Sequence, residues 1–527
     1  MIRRAIPLLT VLAILLVAGS PFAPAQDGFE APPPDDPEAK KLYLKAVEMQ
    51  RRGKWQAAKR AFEKLIEEHP TCSFAADAEN RSGDNAYLGT TKLWESGPSA
   101  RRIDVSVMGD GFTIDPGDQQ KQEKWAKLCL EVLWNEDAFD EYRNYFNFYF
   151  VRLASLEEGV DPNLSPEEKE KIEERNRRRV RKRKTEYNTA LDCKAAGPQG
   201  QVMADRGLVY KWLDIANADV AGCGDDRLVI AFAQFGKLGM GGGGIANVGR
   251  PDKSITTHEF GHAFSRLLDE YAVNPMRPEG GMIPRAANAS PTDDPRAVPW
   301  AHMLEKRVKG VGIYEGGATF QKGVWRPAAS CAMNTNATKF CPVCREATIL
   351  VIYEHVSPID TVAPAPSTEI KVEKGDDVEI LVTPMQPARR ALEATWWVET
   401  IAADVPGPEP EETSGSDGSS AREGWWRSRF RGGGRGGAPQ LPYSTGGRRG
   451  RTDREGYDAP PAGEESKLGR EVRGRGSDPT RLAFPVGKLA PGRYKITVEV
   501  RDPTPWVIKD DQHLLAERET WWVSVNE

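Results

Sequence analysis

The spacing of apolar positions changes several times along the chain, and each change predicts a different element. Ala5 to Ala18 form a largely apolar run of about 14 residues, shorter than the roughly 20 needed to span a bilayer. The run follows Arg3 and Arg4 and leads into Ala23-Pro24-Ala25. Basic start, short apolar stretch and small-residue exit read as a secretory signal peptide over 1–25. Residues 26–37 are rich in Pro and Asp and read as a flexible leader. From Glu38, positions Leu42, Ala46, Gly53, Trp55, Ala58, Phe62, Leu65 and Pro70 follow one tetratricopeptide-like unit. A plain helical hairpin fits the same positions equally well. This helical unit is expected over 38–98, with a surface for a protein partner.

At Arg101 the period shifts to two. Ile103, Val105 and Val107 alternate as in a strand, which leaves through Met108-Gly109-Asp110-Gly111-Phe112. A helix is predicted over 118–134, and the aromatic stretch from Phe139 to Phe150 should be core. Residues 165–186 form an acidic-then-basic charge run, the order that suits a solvated helix. Leu228 to Ala233 reads as a buried strand, followed by a loop carrying Gly239, Gly241, Gly242, Gly243 and Gly244. It lacks the endings of phosphate-binding loops, so a close-packed loop beside a cleft is expected. Beyond about residue 365, short β-type runs such as Thr395-Trp396-Trp397-Val398 and Trp521-Trp522-Val523 predict a β-sandwich over 365–527. A Gly- and Arg-rich insertion, 404–478, interrupts it with 17 glycines in 75 positions, and reads as disordered.

Composition adds two constraints. The 527 residues carry a formal charge of −5, which argues against a wholly basic nucleic-acid binder, so no nucleic-acid partner is expected. Seven cysteines in an exported chain permit disulfides. Cys341 and Cys344 form a C-x-x-C, but no second such pair exists to complete a four-cysteine zinc site. Structural disulfides among Cys331, Cys341 and Cys344 are therefore expected, with Cys193–Cys223 a weaker pairing.

The strongest chemical signal is Thr257-His258-Glu259-Phe260-Gly261-His262. On a helix, His258 and His262 share one face and can bind one Zn²⁺. Glu259, beside the first ligand, fits the general base that works on metal-activated water. Helical periodicity runs from Ile255 to Leu268. In the longer pattern H-E-x-x-H-x-x-G-x-x-H, the third ligand stands ten residues after the first, where this chain has Leu268. Asp269 and Glu270 come next. On a continuous helix Asp269 lies about 10 Å along the axis from His262. It reaches a shared ion only if the chain turns back, and the usual glycine is Ser265 here. Asp269 is the preferred third ligand, Glu270 the alternative, and Glu315 a more distant one. Tyr271 and His302 are candidate donors.

With Leu268-Asp269-Glu270-Tyr271 after it, this motif resembles that of the bacterial IgA peptidase family of zinc metallopeptidases. Met108-Gly109-Asp110-Gly111-Phe112-Thr113 is similar to the family's early glycine turn. Gly323-Val324-Trp325-Arg326-Pro327 through Ser330-Cys331-Ala332-Met333 is similar to its later segment, and Phe340-Cys341-Pro342-Val343-Cys344-Arg345-Glu346 to its cysteine motif. The resemblance covers roughly 100–358, about half the chain, and departs at Ser265 and in the insertion 165–186. It implies a zincin fold over 99–360, with Met333 as a turn methionine beneath the metal.

The expectation is an α+β protein: a zincin-like metallopeptidase domain between a tetratricopeptide-like unit and a β-sandwich. Its function would be zinc-dependent endopeptidase hydrolysis of protein or peptide substrates, with Glu259 as base. The chain would be secreted, periplasmic or at the cell surface, without a transmembrane helix in its mature form. The alternative is a surface binding or scaffold protein with a zincin-like domain and little peptidase activity.

Overall fold

The computed structural model describes residues 36–162, 164–178, 184–196, 201–234, 238–251, 254–277, 281–366, 369–402, 405, 459–472 and 480–527. The expected signal peptide 1–25, the expected leader up to residue 35 and most of 404–478 lie outside the described residues. The fold mixes α and β. No helix of the described residues is long and apolar enough to cross a membrane.

A six-stranded sheet organises the first two thirds of the chain. Its order is Ala86–Trp94, Phe146–Ala154, Ile103–Asp110, Leu228–Ala233, Ile245–Val248 and Met240–Gly242. The four inner strands run parallel, and the two outer ones pair antiparallel. The alternation of Ile103, Val105 and Val107 predicts one dry face, yet every residue of Ile103–Asp110 is buried. The polar positions are satisfied internally: Asn147 donates to Asp104, and the Ser106 hydroxyl donates to the Cys223 carbonyl. This is the burial expected of a parallel strand covered on both sides. The helix Pro116–Leu133 covers one face with Trp125, Cys129 and Leu133, among which Val105, Val107, Phe148 and Phe232 pack. The helix Arg206–Asp219 covers the other face with Val209, Trp212 and Leu213 against Val151, Val229 and Ala231.

The span 38–98 contains more than helices. Pro37–Arg51, Trp55–Glu68 and Ala75–Ser82 enclose a small core of Ala39, Ala46, Ala58, Phe62, Leu65 and Ala78. The strand Ala86–Trp94 then joins the central sheet, so the helical part ends before residue 86. The first helix also starts inside the expected leader, where the Asp36 carboxylate accepts from the Glu38 amide and Pro37 takes the first helical position. The charged helix runs over Pro166–Arg177, opened by a reciprocal Ser165–Glu168 capping box.

At the C-terminal side, two sheets share one core. One has the order Ile359–Ala363, Glu379–Pro384, Arg481–Pro485, Arg470–Val472. The other has the order Ile370–Glu373, Ala516–Asn526, Gly492–Arg501, Glu393–Ile401, Glu464–Glu465. Ile380, Val382 and Phe484 from the first belong with Trp396, Val498 and Trp521 from the second. The reading of 404–478 as wholly disordered is corrected here. Glu464–Glu465 pairs with Trp397 and Val398, and Arg470–Val472 pairs with the strand Arg481–Pro485. These pieces add to sheet edges through backbone bonds, which need no apolar periodicity in their side chains.

The Gly109-Asp110-Gly111 turn is a structural junction. Asp110 is fully buried and accepts from the Thr189 hydroxyl and the amides of Leu191 and Cys193, at 2.8–3.0 Å. Gly111 holds a φ of +75°, the left-handed region that glycine adopts freely. Asp110→Ala would strand two buried amides and a hydroxyl, a loss of about 3 kcal/mol of stability. A lowered thermal unfolding midpoint is the expected outcome; an unchanged midpoint would remove this role.

Candidate metal centre

The helix carrying the histidines, Ile255–Ala263, packs across the edge of the central sheet, with Phe260 in the core. It stops at Ala263, five residues short of the sequence reading. Arg266 then adopts a φ of +58°, and the Leu267 amide donates back to the Gly261 carbonyl at 3.2 Å. A left-handed residue with such a back-bond closes a helix and reverses the chain. The left-handed position is therefore Arg266, so residue 265 need not be glycine. Ser265 is buried instead, its hydroxyl 2.9 Å from that of Thr348. Arg266 is held by Glu354 at 2.8 Å.

The reversal returns Asp269 to the histidines. Its Oδ1 lies 3.0 Å from His258 Nε2 and 3.1 Å from His262 Nε2, and the two Nε2 atoms are 3.1 Å apart. Tetrahedral coordination with metal–ligand bonds of about 2.05 Å separates ligand atoms by about 3.3 Å. The three donor atoms are thus spaced to share one ion. The opposite ring nitrogens are fixed: His258 Nδ1 donates to the Ala332 carbonyl at 3.0 Å, His262 Nδ1 to that of Leu267 at 2.6 Å. That tautomer leaves both Nε2 lone pairs toward the common point. Burial would raise the Asp269 carboxyl, but with no ion bound the two imidazoles, when protonated on Nε2, hold it well below the usual range.

Glu259 is 5% exposed, and burial raises its carboxyl, opposed by both histidines and by the Gly241 backbone amide. The glycine loop therefore borders the site. A Cβ at Gly239 would fall 2.5 Å from Glu259 Cγ, and one at Gly241 would fall 2.2 Å from the Glu259 carbonyl oxygen. Only glycine lets this edge strand lie so close to the motif helix. Met333 is fully buried, in the turn Ala332–Asn334; a Cβ on Gly261 would lie 2.8 Å from its sulfur. It packs against the motif helix, as expected of a supporting methionine.

Of the other expected residues, Tyr271 stays beside the histidines and the rest are placed elsewhere. Glu315 pairs with Lys322 at 2.8 Å on an exposed strand, away from the histidines. His302 is bound to Glu346 at 2.7 Å. Tyr271 stacks on His258, with ring centroids 5.9 Å apart. Glu270 does not join the histidines. Its side chain turns to Cys331, Cys341 and Cys344. The expected disulfides are corrected: these three cysteines, and Cys193 and Cys223, are all unbonded. Cys331 and Cys344 sulfurs stand 3.8 Å apart, where a disulfide requires about 2.05 Å. Cys223 instead meets Ser106. The sequence reading missed the backbone carbonyls of Ala332 and Leu267, which carry no side-chain signature.

Gly241→Ala should shift either the edge strand or the motif helix, because its nearest obstacle is backbone. A loss of about 1–3 kcal/mol in stability is expected, together with weaker metal retention. Gly117→Ala, in a first helical turn with nothing within 4 Å, is the control and should leave the unfolding midpoint unchanged or slightly raised. Equal behaviour of the two variants would contradict the packing argument.

Residues 91–175 and 301–352 match the family model of IgA Peptidase M64. The matched segments contain the Gly109-Asp110-Gly111 turn, the Met333 turn and the Cys341–Cys344 pair, while the motif helix lies between them. No curated protein matches the chain. The chain is thus similar to the IgA peptidase family over these two segments, and the converging His258, His262 and Asp269 lie between them.

Proposed function

We propose that this chain is an exported zinc-dependent endopeptidase. Its peptidase family implies hydrolysis of protein or peptide substrates. The observation that carries the metal-dependent reading is the convergence of His258, His262 and Asp269 beside a buried Glu259. In this reading residues 99–360 form a zincin-like domain, flanked by a tetratricopeptide-like unit and a β-sandwich. The apolar run Ala5 to Ala18, within a signal-peptide-like segment 1–25, supports export.

His258, His262 and Asp269 fit a catalytic Zn²⁺: two neutral imidazoles and one carboxylate leave a fourth direction open. When bound, the ion supplies Lewis-acid polarisation of the scissile carbonyl. Glu259 takes a proton from the attacking water and returns it to the leaving amine. Its buried setting raises its proton affinity, which suits a group that must first accept and then release a proton. The Gly241 amide orients its carboxylate. The strand Met240–Gly242 is the open edge of the sheet beside the motif helix, a place where an extended peptide can add as a further strand.

Glu259→Gln should retain metal and lower peptide hydrolysis by about 10²–10⁴-fold. Asp269→Ala should lose metal and activity together. The measurements are metal content and digestion of casein or a peptide library by wild type and both variants. A wild type that holds zinc and cleaves nothing in the library would overturn the proposal.

A further inference from the structure

A second group of ligand-type atoms lies behind the first. Glu270, Cys331, Cys341 and Cys344 each contribute one donor atom, all within 4.8 Å of one another, and all four residues are buried. Tetrahedral coordination with metal–sulfur bonds of about 2.3 Å places sulfurs about 3.8 Å apart and a carboxylate oxygen about 3.5 Å from each. Cys331 and Cys344 sulfurs are 3.8 Å apart. Glu270 Oε1 lies 3.8 Å from the Cys341 sulfur and 3.0 Å from that of Cys344. These are the edges of a coordination tetrahedron, nearly twice the length of a sulfur–sulfur bond.

The surroundings fit anionic ligands. The amides of Met333 and Cys341 donate to the Cys331 sulfur at 3.4 and 3.3 Å. Cys341 caps the 14-residue helix Pro342–His355 and Cys344 lies in its first turn, where the helix dipole favours thiolate. Asn288 donates to Glu270 Oε1, while the buried Oε2 has no hydrogen-bond partner among the described residues. No lysine or arginine side chain pairs with Glu270 among the described residues.

We propose that Cys331, Cys341, Cys344 and Glu270 form a second metal site, a closed tetrahedral one that binds Zn²⁺. Four protein ligands leave no position for water or substrate, so the site is structural. On binding, the thiols release their protons to solvent and the carboxylate is ionised. Three thiolates and one carboxylate carry the same formal charge as a four-cysteine site. The ion ties together the pieces that hold the first centre. Cys331 precedes Ala332, whose carbonyl fixes His258, and Glu270 follows Asp269, its amide donating to the Met333 carbonyl at 2.8 Å. The inference does not depend on peptidase activity.

The test is metal content and cobalt spectroscopy on the full chain. Wild type should hold two zinc ions per chain. The double variant His258→Ala, His262→Ala should keep one, and Co²⁺ exchanged into it should show sulfur-to-cobalt charge-transfer absorption. Cys344→Ser should lose one ion and that absorption. Should Cys344→Ser fail to fold, the histidine double variant and wild type decide alone. Thiol alkylation of native wild type, read by mass, should leave all three cysteines unmodified until chelator is added. A histidine double variant with no bound metal, or a wild type with a bond between any two of these cysteines, would overturn the proposal.

Discussion

Everything at the candidate metal centre hangs on the chain reversing within a few residues of His262. A helix continued to Leu268 would carry Asp269 about 10 Å past the second histidine. The left-handed Arg266 and the Leu267-to-Gly261 back-bond end the helix instead, at a point where the chain can return beneath it. That single constraint brings three donor atoms to 3.0–3.1 Å of one another. It also turns the Leu267 carbonyl onto His262, so the reversal both brings in Asp269 and orients an imidazole. The ion pair from Arg266 to Glu354 and the Ser265–Thr348 hydrogen bond anchor the turn to the helix Pro342–His355.

That helix links the site to the C-terminal sheets. Glu346, on its first turns, accepts from the Ile508 and Lys509 amides and binds His302. Tyr142 and Tyr353 both donate to Asp502, at 2.5 and 2.8 Å. The contacts are polar and buried at Asp502 and part-buried at Glu346, so each is strong only while all partners are in place. The C-terminal unit is docked by a network that begins one helix away from the histidines.

Much of this was legible in the sequence, and the failures have physical causes. The His258–Glu259–His262 spacing shows directly, because a helix period brings those positions to one face. Asp269 was preferred over Glu270 on position alone, and the structure puts Asp269 with the histidines. The helix end at Ala263 was not legible, since Arg266 gives no propensity signal for a left-handed residue. The cysteines look like disulfide partners in the sequence because Glu270, which the fold brings to them, is distant in sequence and carboxylates are common. Export chemistry also favoured that reading. The strand Ala86–Trp94 was absorbed into a helical unit because the burial of an edge strand is only partial and its alternation weak. The strand pieces at 464–465 and 470–472 are held by backbone bonds and so leave no side-chain pattern to read.

Asp269 and Glu270 are neighbours in the chain, yet their side chains reach two different groups of ligand atoms. The segment is therefore registered to a single residue at both ends. It is fixed by the turn at Arg266 on one side and by the Ala318-to-Asp269 backbone bond on the other. A one-residue insertion or deletion between them would move Asp269 and Glu270 out of register with their two groups. Substitutions in this stretch can be absorbed one at a time, but its length cannot vary. The spacing between His262 and Asp269 is thus a stricter mark of this site than the identity of any residue in between.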